Sequence, residues 1–213
     1  MSISRKARTG ALAAVAAVGL SLAAAVPASA DVVEIPVSYG VAGTTTVQKT
    51  GSAIKLGPGS LDGALLIDDQ TGSVGLRGDL SLPPAQADIS LASGLLRIKA
   101  KVTVTPTAPV TGTIANGNIT THATANMEIN DIWAGFVVPV VPVPTVPSSC
   151  KTTKPLDLTL SAQNVDITQP ITVKGTYTIP DFKNCFIADL ALGALVSGPN
   201  NTISLTLTPK TDS

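Results

Sequence analysis

The residues of this chain whose types could carry a reaction are few. Asp62, Asp68, Asp69, Asp79, Glu128 and Asp131 are the candidates for a carboxylate pair of the kind that cleaves glycosidic bonds. Glycosidase clefts are usually lined with aromatic rings, and Tyr39, Trp133 and Tyr177 are too few to build one. His122 is the single histidine, and it falls on a Thr/Asn/Glu face, which suits a solvated residue better than a general base. With one histidine and no spare thiol, a metal site of the usual kind cannot be assembled. No Gly-x-Ser-x-Gly elbow is present. Asp68-Asp69 lacks the alternating acidic ligands and distal Glu of a calcium loop, so turn chemistry is the better account. Arg77-Gly78-Asp79 spells an adhesion tripeptide but falls within an alternating run instead of at a loop tip. Arg97, Lys99 and Lys101 make a basic stripe on one strand face, which reads as a solvated sheet surface. No reaction, no metal and no cofactor is implied.

What must position these residues begins after a leader. Arg5, Lys6 and Arg8 precede the apolar stretch "GALAAVAAVGLSLAAAV", and Ala28-Ser29-Ala30 is a small-x-small cleavage site, so residues 1–30 read as a secretory signal peptide. Residues 31–213 are then expected to form one β-rich domain of 183 residues, long enough to bury about 70% of its unfolded surface. No later stretch reaches the ~18 apolar residues of a membrane helix. The tail "LTLTPKTDS" carries no sorting signal, so release or loose retention in the cell envelope is expected. The whole chain balances 14 basic against 14 acidic residues, but three of the basic ones lie in the leader, leaving 11 against 14 and a charge of −3. That sign argues against nucleic acid as a partner. Cys150 and Cys185, bound for an oxidising compartment and lacking Cys-x-x-Cys spacing, read as a structural disulfide.

Period-two alternation dominates the mature chain. Leu96, Ile98, Ala100, Val102 and Val104 share one face, opposite Arg97, Lys99, Lys101, Thr103 and Thr105. Ile119, Ala123, Ala125, Met127 and Ile129 oppose Thr120, His122, Thr124, Asn126 and Glu128, and Leu156, Leu158 and Leu160 oppose Asp157, Thr159 and Ser161. One buried face and one wet face is the mark of antiparallel sheet. "DDQTG" ending at Gly72 and "ANGN" around Asn116-Gly117 read as hairpin turns. "GPG" at 57–59, "PP" at 83–84 and "GPNN" at 198–201 read as further turns. Only residues 186–196, "FIADLALGALV", have helical spacing. The expected fold is all-β, an antiparallel β-sandwich or barrel-like fold of roughly ten strands with one short helix. A faint echo, "RGDLSLPP…LASGLL…VTVTP" against "KGTYTIPD…LALGAL…LTLTP", admits two pseudo-repeated halves.

The segment "AGFVVPVVPVPTVPSSC", residues 134–150, cannot be a helix or a central strand, because Pro139, Pro142, Pro144 and Pro147 each remove a backbone donor. It is too apolar for a free linker. Pinned at Cys150, it reads as a strap: an edge cover, or a lip over a cavity or docking patch. Trp133, Phe136, Val138, Val140 and Val143 are its candidate apolar binding residues.

The stretches "TTTVQKTGSAIKLGPGSLDGALLID", "GDLSLPPAQADISL", "VTPTAPVTGTIANGNIT", "VPSSCKTTKPLDLTL", "GTYTIPDFKNC" and "GPNNTISLTLTP" span nearly the whole mature chain. Together they resemble a group of secreted, signal-peptide-bearing β-rich proteins of high-G+C Gram-positive bacteria (actinobacteria). The resemblance implies export and a β-rich fold and carries no catalytic residue over. The function expected is that of a secreted, non-enzymatic β-protein that binds an apolar or amphiphilic component such as a cell-envelope lipid. The alternatives are a structural or surface-interaction protein with Thr-rich outer faces and no small-molecule ligand, and a carboxylate-dependent hydrolase. A closed cavity beneath residues 134–147 would favour the first, a solid, filled sandwich the second, and two carboxylates facing each other across a cleft the third.

Overall fold

The computed structural model describes residues 32–91, 96–136, 141–142, 150–185 and 188–210. The leader and Val138, Val140 and Val143 of the strap lie outside them. Among the described residues, thirteen strands and one helix follow in order: β1 (Val32–Val47), β2 (Ser52–Asp68), β3 (Val74–Ser81), β4 (Ala85–Leu91), β5 (Leu96–Pro106), β6 (Val110–Ala115), β7 (Asn118–Phe136), β8 (Val141–Pro142), β9 (Lys151–Thr152), β10 (Leu156–Ala162), β11 (Ile171–Ile179), β12 (Phe182–Lys183), α1 (Ala188–Leu195) and β13 (Gly198–Pro209). Every pairing is antiparallel. Of the two architectures the alternation allowed, the barrel is the one formed. β1, β2, β3, β6, β7, β10, β11 and β13 pair in sequence, and β13 returns to β1, closing an eight-stranded ring. Closure leaves no free edge around most of its circumference.

β7 is the pivot. Its first half, up to Ala125, pairs with β6 and β10 inside the ring, and its second half leaves the ring to pair with β5, which carries β4 on its far side. The result is a three-stranded flap continuous with the barrel. In β7 two residues, Asp131 and Ile132, oppose the single Ala100 of β5, forming a bulge, and Asp131 takes a left-handed conformation at φ 50°. The bulge resets the alternation, so Ile129 and Ile132, three apart, are both buried.

The hairpin readings hold at Gly72 (φ 66°) and at Asn116-Gly117 (φ 51° and 73°), where left-handed backbone is required. Pro83-Pro84 connects β3 to β4. Two expected turns are corrected. Gly57-Pro58-Gly59 lies inside β2, where Gly57 and Pro58 form a bulge opposite Ala42; a Cβ on Gly57 (φ 84°) would sit 2.4 Å from the Val41 carbonyl oxygen. Gly198-Pro199-Asn200-Asn201 is the start of β13, its irregular backbone held by the buried Asn201 amide. That amide donates to the Gly198 and Tyr177 carbonyls (2.7 and 3.3 Å) and accepts the Gln48 N–H (3.0 Å). Proline and glycine mark irregular backbone in both places, but a bulge and a strand start use them as readily as a turn does. The echo segments occupy different pairings: β11 lies directly beside β13, whereas β3 does not pair with β5.

β1 extends past β13, and among the described residues Val32–Val37 pair only with β2. Ser38 accepts the Lys210 N–H (2.9 Å), so Pro36, two residues earlier, turns its missing donor to this same side of β1.

Candidate functional site

Val41 of β1, Leu61 and Leu65 of β2, Leu76 of β3 and Ile119 of β7 are buried in the common core. Toward the flap, a cavity of about 270 Å³ opens, and those five residues do not line it. Its walls come from inward positions of Val47, Ile54 and Leu56 on the β1–β2 hairpin, Ile98 to Val104 on β5, Met127, Ile129 and Ile132 on β7, Leu156 to Leu160 on β10, and Ile203 and Leu205 on β13. The space exists because small residues stand where the alternation calls for large ones. Ala87, Ala100, Ala123 and Ala125 all face it, and Ala87 is the direct cross-strand partner of Ala100. Among the described lining residues none is charged.

The polar groups at this wall are hydroxyls. Tyr177 Oη lies 2.7 Å from Thr45 Oγ1, and Thr45 Oγ1 donates to the Thr202 carbonyl at 2.9 Å. Burial pushes the Tyr177 phenol above its ordinary value, and the Thr45 hydroxyl offsets part of that.

Helix α1 closes one side, turning Ala188, Leu192 and Leu195 to the cavity and leaving Leu190 84% exposed. Its position is fixed from three directions. Cys185, three residues before it, is bonded to Cys150, and both are buried. The Cys150 carbonyl accepts the Ile129 N–H (3.1 Å), and β9 pairs with β12, so the disulfide stitches the helix start to the β7 wall. Lys49 reaches from the β1–β2 turn and donates to the Gly193 carbonyl (2.8 Å), placing a cation on the last turn of a helix with no basic residue of its own.

The residues singled out in the sequence fall elsewhere. Trp133 and Phe136 lie at the end of β7, their backbones paired with Lys99 and Leu96, and Trp133 and Ala134 also pair with Pro142 and Val141 of β8, which runs antiparallel to them. His122 and Asp157 meet at 3.3 Å on the outer face, both largely exposed. Asp62 and Asp79 are direct cross-strand neighbours and also exposed; neither lines the cavity. The Ser38 and Ser60 hydroxyls, with Lys210 at 3.6 Å, hold Asp62 below the usual carboxylate range. Asp68 accepts the Gln70 and Thr71 N–H groups (2.9 and 3.2 Å), an Asx turn. Asp131 is the bulge residue of β7, and Glu128 pairs in register with Thr103 and Lys151. Arg77-Gly78-Asp79 sits in mid-β3, and the basic stripe is broken by Asp88 directly opposite Lys99.

Outer faces are rich in threonine. Thr44, Thr46, Lys174, Thr176, Thr202 and Ser204 line a shallow groove across β1, β13 and β11. This apolar-in, polar-out arrangement is the reverse of a membrane barrel. Among the described residues no helix is long and apolar enough to cross a membrane.

The alternation marks the cavity lining only as core: Ile98, Ala100, Val102 and Val104 share one apolar face, and nothing in the alternation distinguishes a face that touches its opposite wall from one that does not.

No family model matches the chain, and no curated protein matches it. Among solved structures, the C-terminal domain of HtaA from Corynebacterium glutamicum aligns with 82% of this chain and 99% of its own length, at 10% identity and a TM-score of 0.27, too remote a likeness to transfer a fold or a ligand.

Proposed function

We propose that this is a secreted, non-enzymatic protein that holds an apolar or amphiphilic cell-envelope component inside its barrel. The observation that carries the reading is the cavity of about 270 Å³ with an uncharged, almost wholly apolar lining. Lining of this kind left unpacked carries a cost in forgone apolar burial. Four inward alanines keep the space open, where leucine or valine would close it and stabilise the fold. An occupant removes the cost, since a ligand that binds only the folded state stabilises it by mass action. Trp133, Phe136, Val138, Val140 and Val143 belong to the same proposal: Ile132 lines the cavity, and the strap follows it directly in the chain. The extracellular setting is supported by the Cys150–Cys185 bond, which suits an oxidising compartment.

The test is native mass spectrometry of the mature protein from its own culture medium. A co-purifying apolar mass, lost from a variant whose cavity is filled, is the expected result. Bare protein that also takes up no hydrocarbon probe would overturn the reading. The second reading, a surface-interaction protein without a small ligand, rests on the Thr-lined outer groove and would then take its place.

A further inference from the structure

The cavity's two buried hydroxyls form a chain whose protons can be counted. A hydroxyl carries one proton and accepts through its lone pairs. Thr45 gives its proton to the Thr202 carbonyl, which can only accept, at 2.9 Å. The 2.7 Å contact between Thr45 and Tyr177 therefore uses the proton of Tyr177. Both protons are engaged, and what Tyr177 has left is acceptor capacity alone. Thr124, which also borders the cavity, has its side chain on the outer face of β7, opposite to Ala123 and Ala125, where its hydroxyl meets that of the exposed Thr107 at 2.6 Å. Among the described lining residues no lysine, arginine or histidine is present to receive an anion.

From this we infer that, if the cavity is the ligand site proposed above, it selects an uncharged chain ending in a hydrogen-bond donor, an alcohol set against the Tyr177 oxygen, and discriminates against a carboxylate end. A carboxylate brought inside would lose its hydration and find no free donor among the described lining side chains. An alcohol gives its proton to Tyr177 Oη and keeps its own lone pairs, which are cheap to leave unused. The size is consistent with a single chain. A 150 Å³ apolar cavity holds benzene, so this one accommodates roughly ten to twelve carbon atoms by proportion. Discrimination of this kind is built from a buried polar pair in an apolar pocket, where a missing partner is costly.

The experiment is displacement of an apolar fluorophore, N-phenyl-1-naphthylamine, from the oxidised mature chain at neutral pH by 1-decanol, decanoate and 2-decanone. Decanol is expected to bind at least about tenfold tighter than decanoate. Tyr177→Phe, which leaves the Thr45–Thr202 bond intact, is expected to lower decanol affinity about fivefold and so shrink that ratio. Thr45→Val removes the acceptor of the Tyr177 proton; the phenol is then free to donate, and 2-decanone is expected to gain affinity. Decanoate binding as tightly as decanol, or an unchanged ratio in Tyr177→Phe, overturns the inference while leaving the cavity as a binding site. Failure of the fluorophore and all three chains to bind overturns both.

Discussion

Ala87 and Ala100 are direct partners across β4 and β5, and both turn their methyl groups into the cavity. At this one register position the sheet is closed by backbone hydrogen bonds while its inner surface is left a side chain short on each strand. Ala100→Leu should therefore grow into empty space. The expected outcome is a folded variant more stable by about 1 kcal/mol, as for other cavity-filling changes, or a rise in Tm of roughly 2–4 °C for a chain of this size. The same variant should lose binding of N-phenyl-1-naphthylamine. A falling Tm would mean that the space is already occupied by groups of the chain itself.

The Cys150–Cys185 bond closes a loop of sequence separation 35 and holds α1 to the β7 wall. Replacing both cysteines by serine should cost about 4 kcal/mol on the chain-entropy estimate, read as a lowered guanidinium midpoint. Amide exchange should quicken first in α1, because Lys49 would be its chief remaining polar anchor. Uniform exchange with an unchanged midpoint would show that the bond contributes little.

Gly57 and Gly72 both have positive φ, but they differ in what surrounds them. A Cβ on Gly57 would meet the Val41 carbonyl at 2.4 Å, whereas one on Gly72 meets nothing within 4 Å. Gly72→Ala should cost about 1 kcal/mol, the backbone penalty alone. Gly57→Ala must add the displacement of β1, and its urea midpoint should fall clearly further. Equal losses would mean that the bulge yields freely.

Asp62, Asp68 and Asp166 are held below the usual carboxylate range, chiefly by hydroxyl donors: Ser38 for Asp62, Thr71 for Asp68 and Thr168 for Asp166. In the unfolded chain each reverts to about 3.9 and binds its proton first as pH falls. The stability they contribute is whole above that value and is lost as pH drops through their lower folded values. At the alkaline end the signs reverse. Burial raises the Tyr39 and Tyr177 phenols, so their contribution is whole below about pH 10 and lost above it. A plot of Tm against pH should be flat between, and Asp62→Asn with Asp68→Asn should soften the acid limb. An acid limb unchanged in that double variant would place the acid sensitivity in other groups.

Much of this protein follows from its sequence, because a period of two has only one physical outcome in a half-buried sheet. The inward faces of β5, β7 and β10 were readable residue by residue, as were the turns at Gly72 and Asn116-Gly117, where backbone with φ above zero limits the residue types. The disulfide follows from having two cysteines and the oxidising destination that the leader leads one to expect. What the alternation could not carry was closure. Whether the sheet rolls into a ring depends on β10 reaching β7 and β13 reaching β1, contacts between segments far apart in the chain. The bulges at Gly57-Pro58 and Asp131 were also hidden, since glycine, proline and aspartate serve turns equally well, yet the second of them turns Ile132 inward. The cavity depended on all of these. An alanine on a buried face is a close contact if the opposite wall is near and a void if it is far, and the distance to that wall is set by the curvature of the closed barrel and the angle at which β7 leaves it.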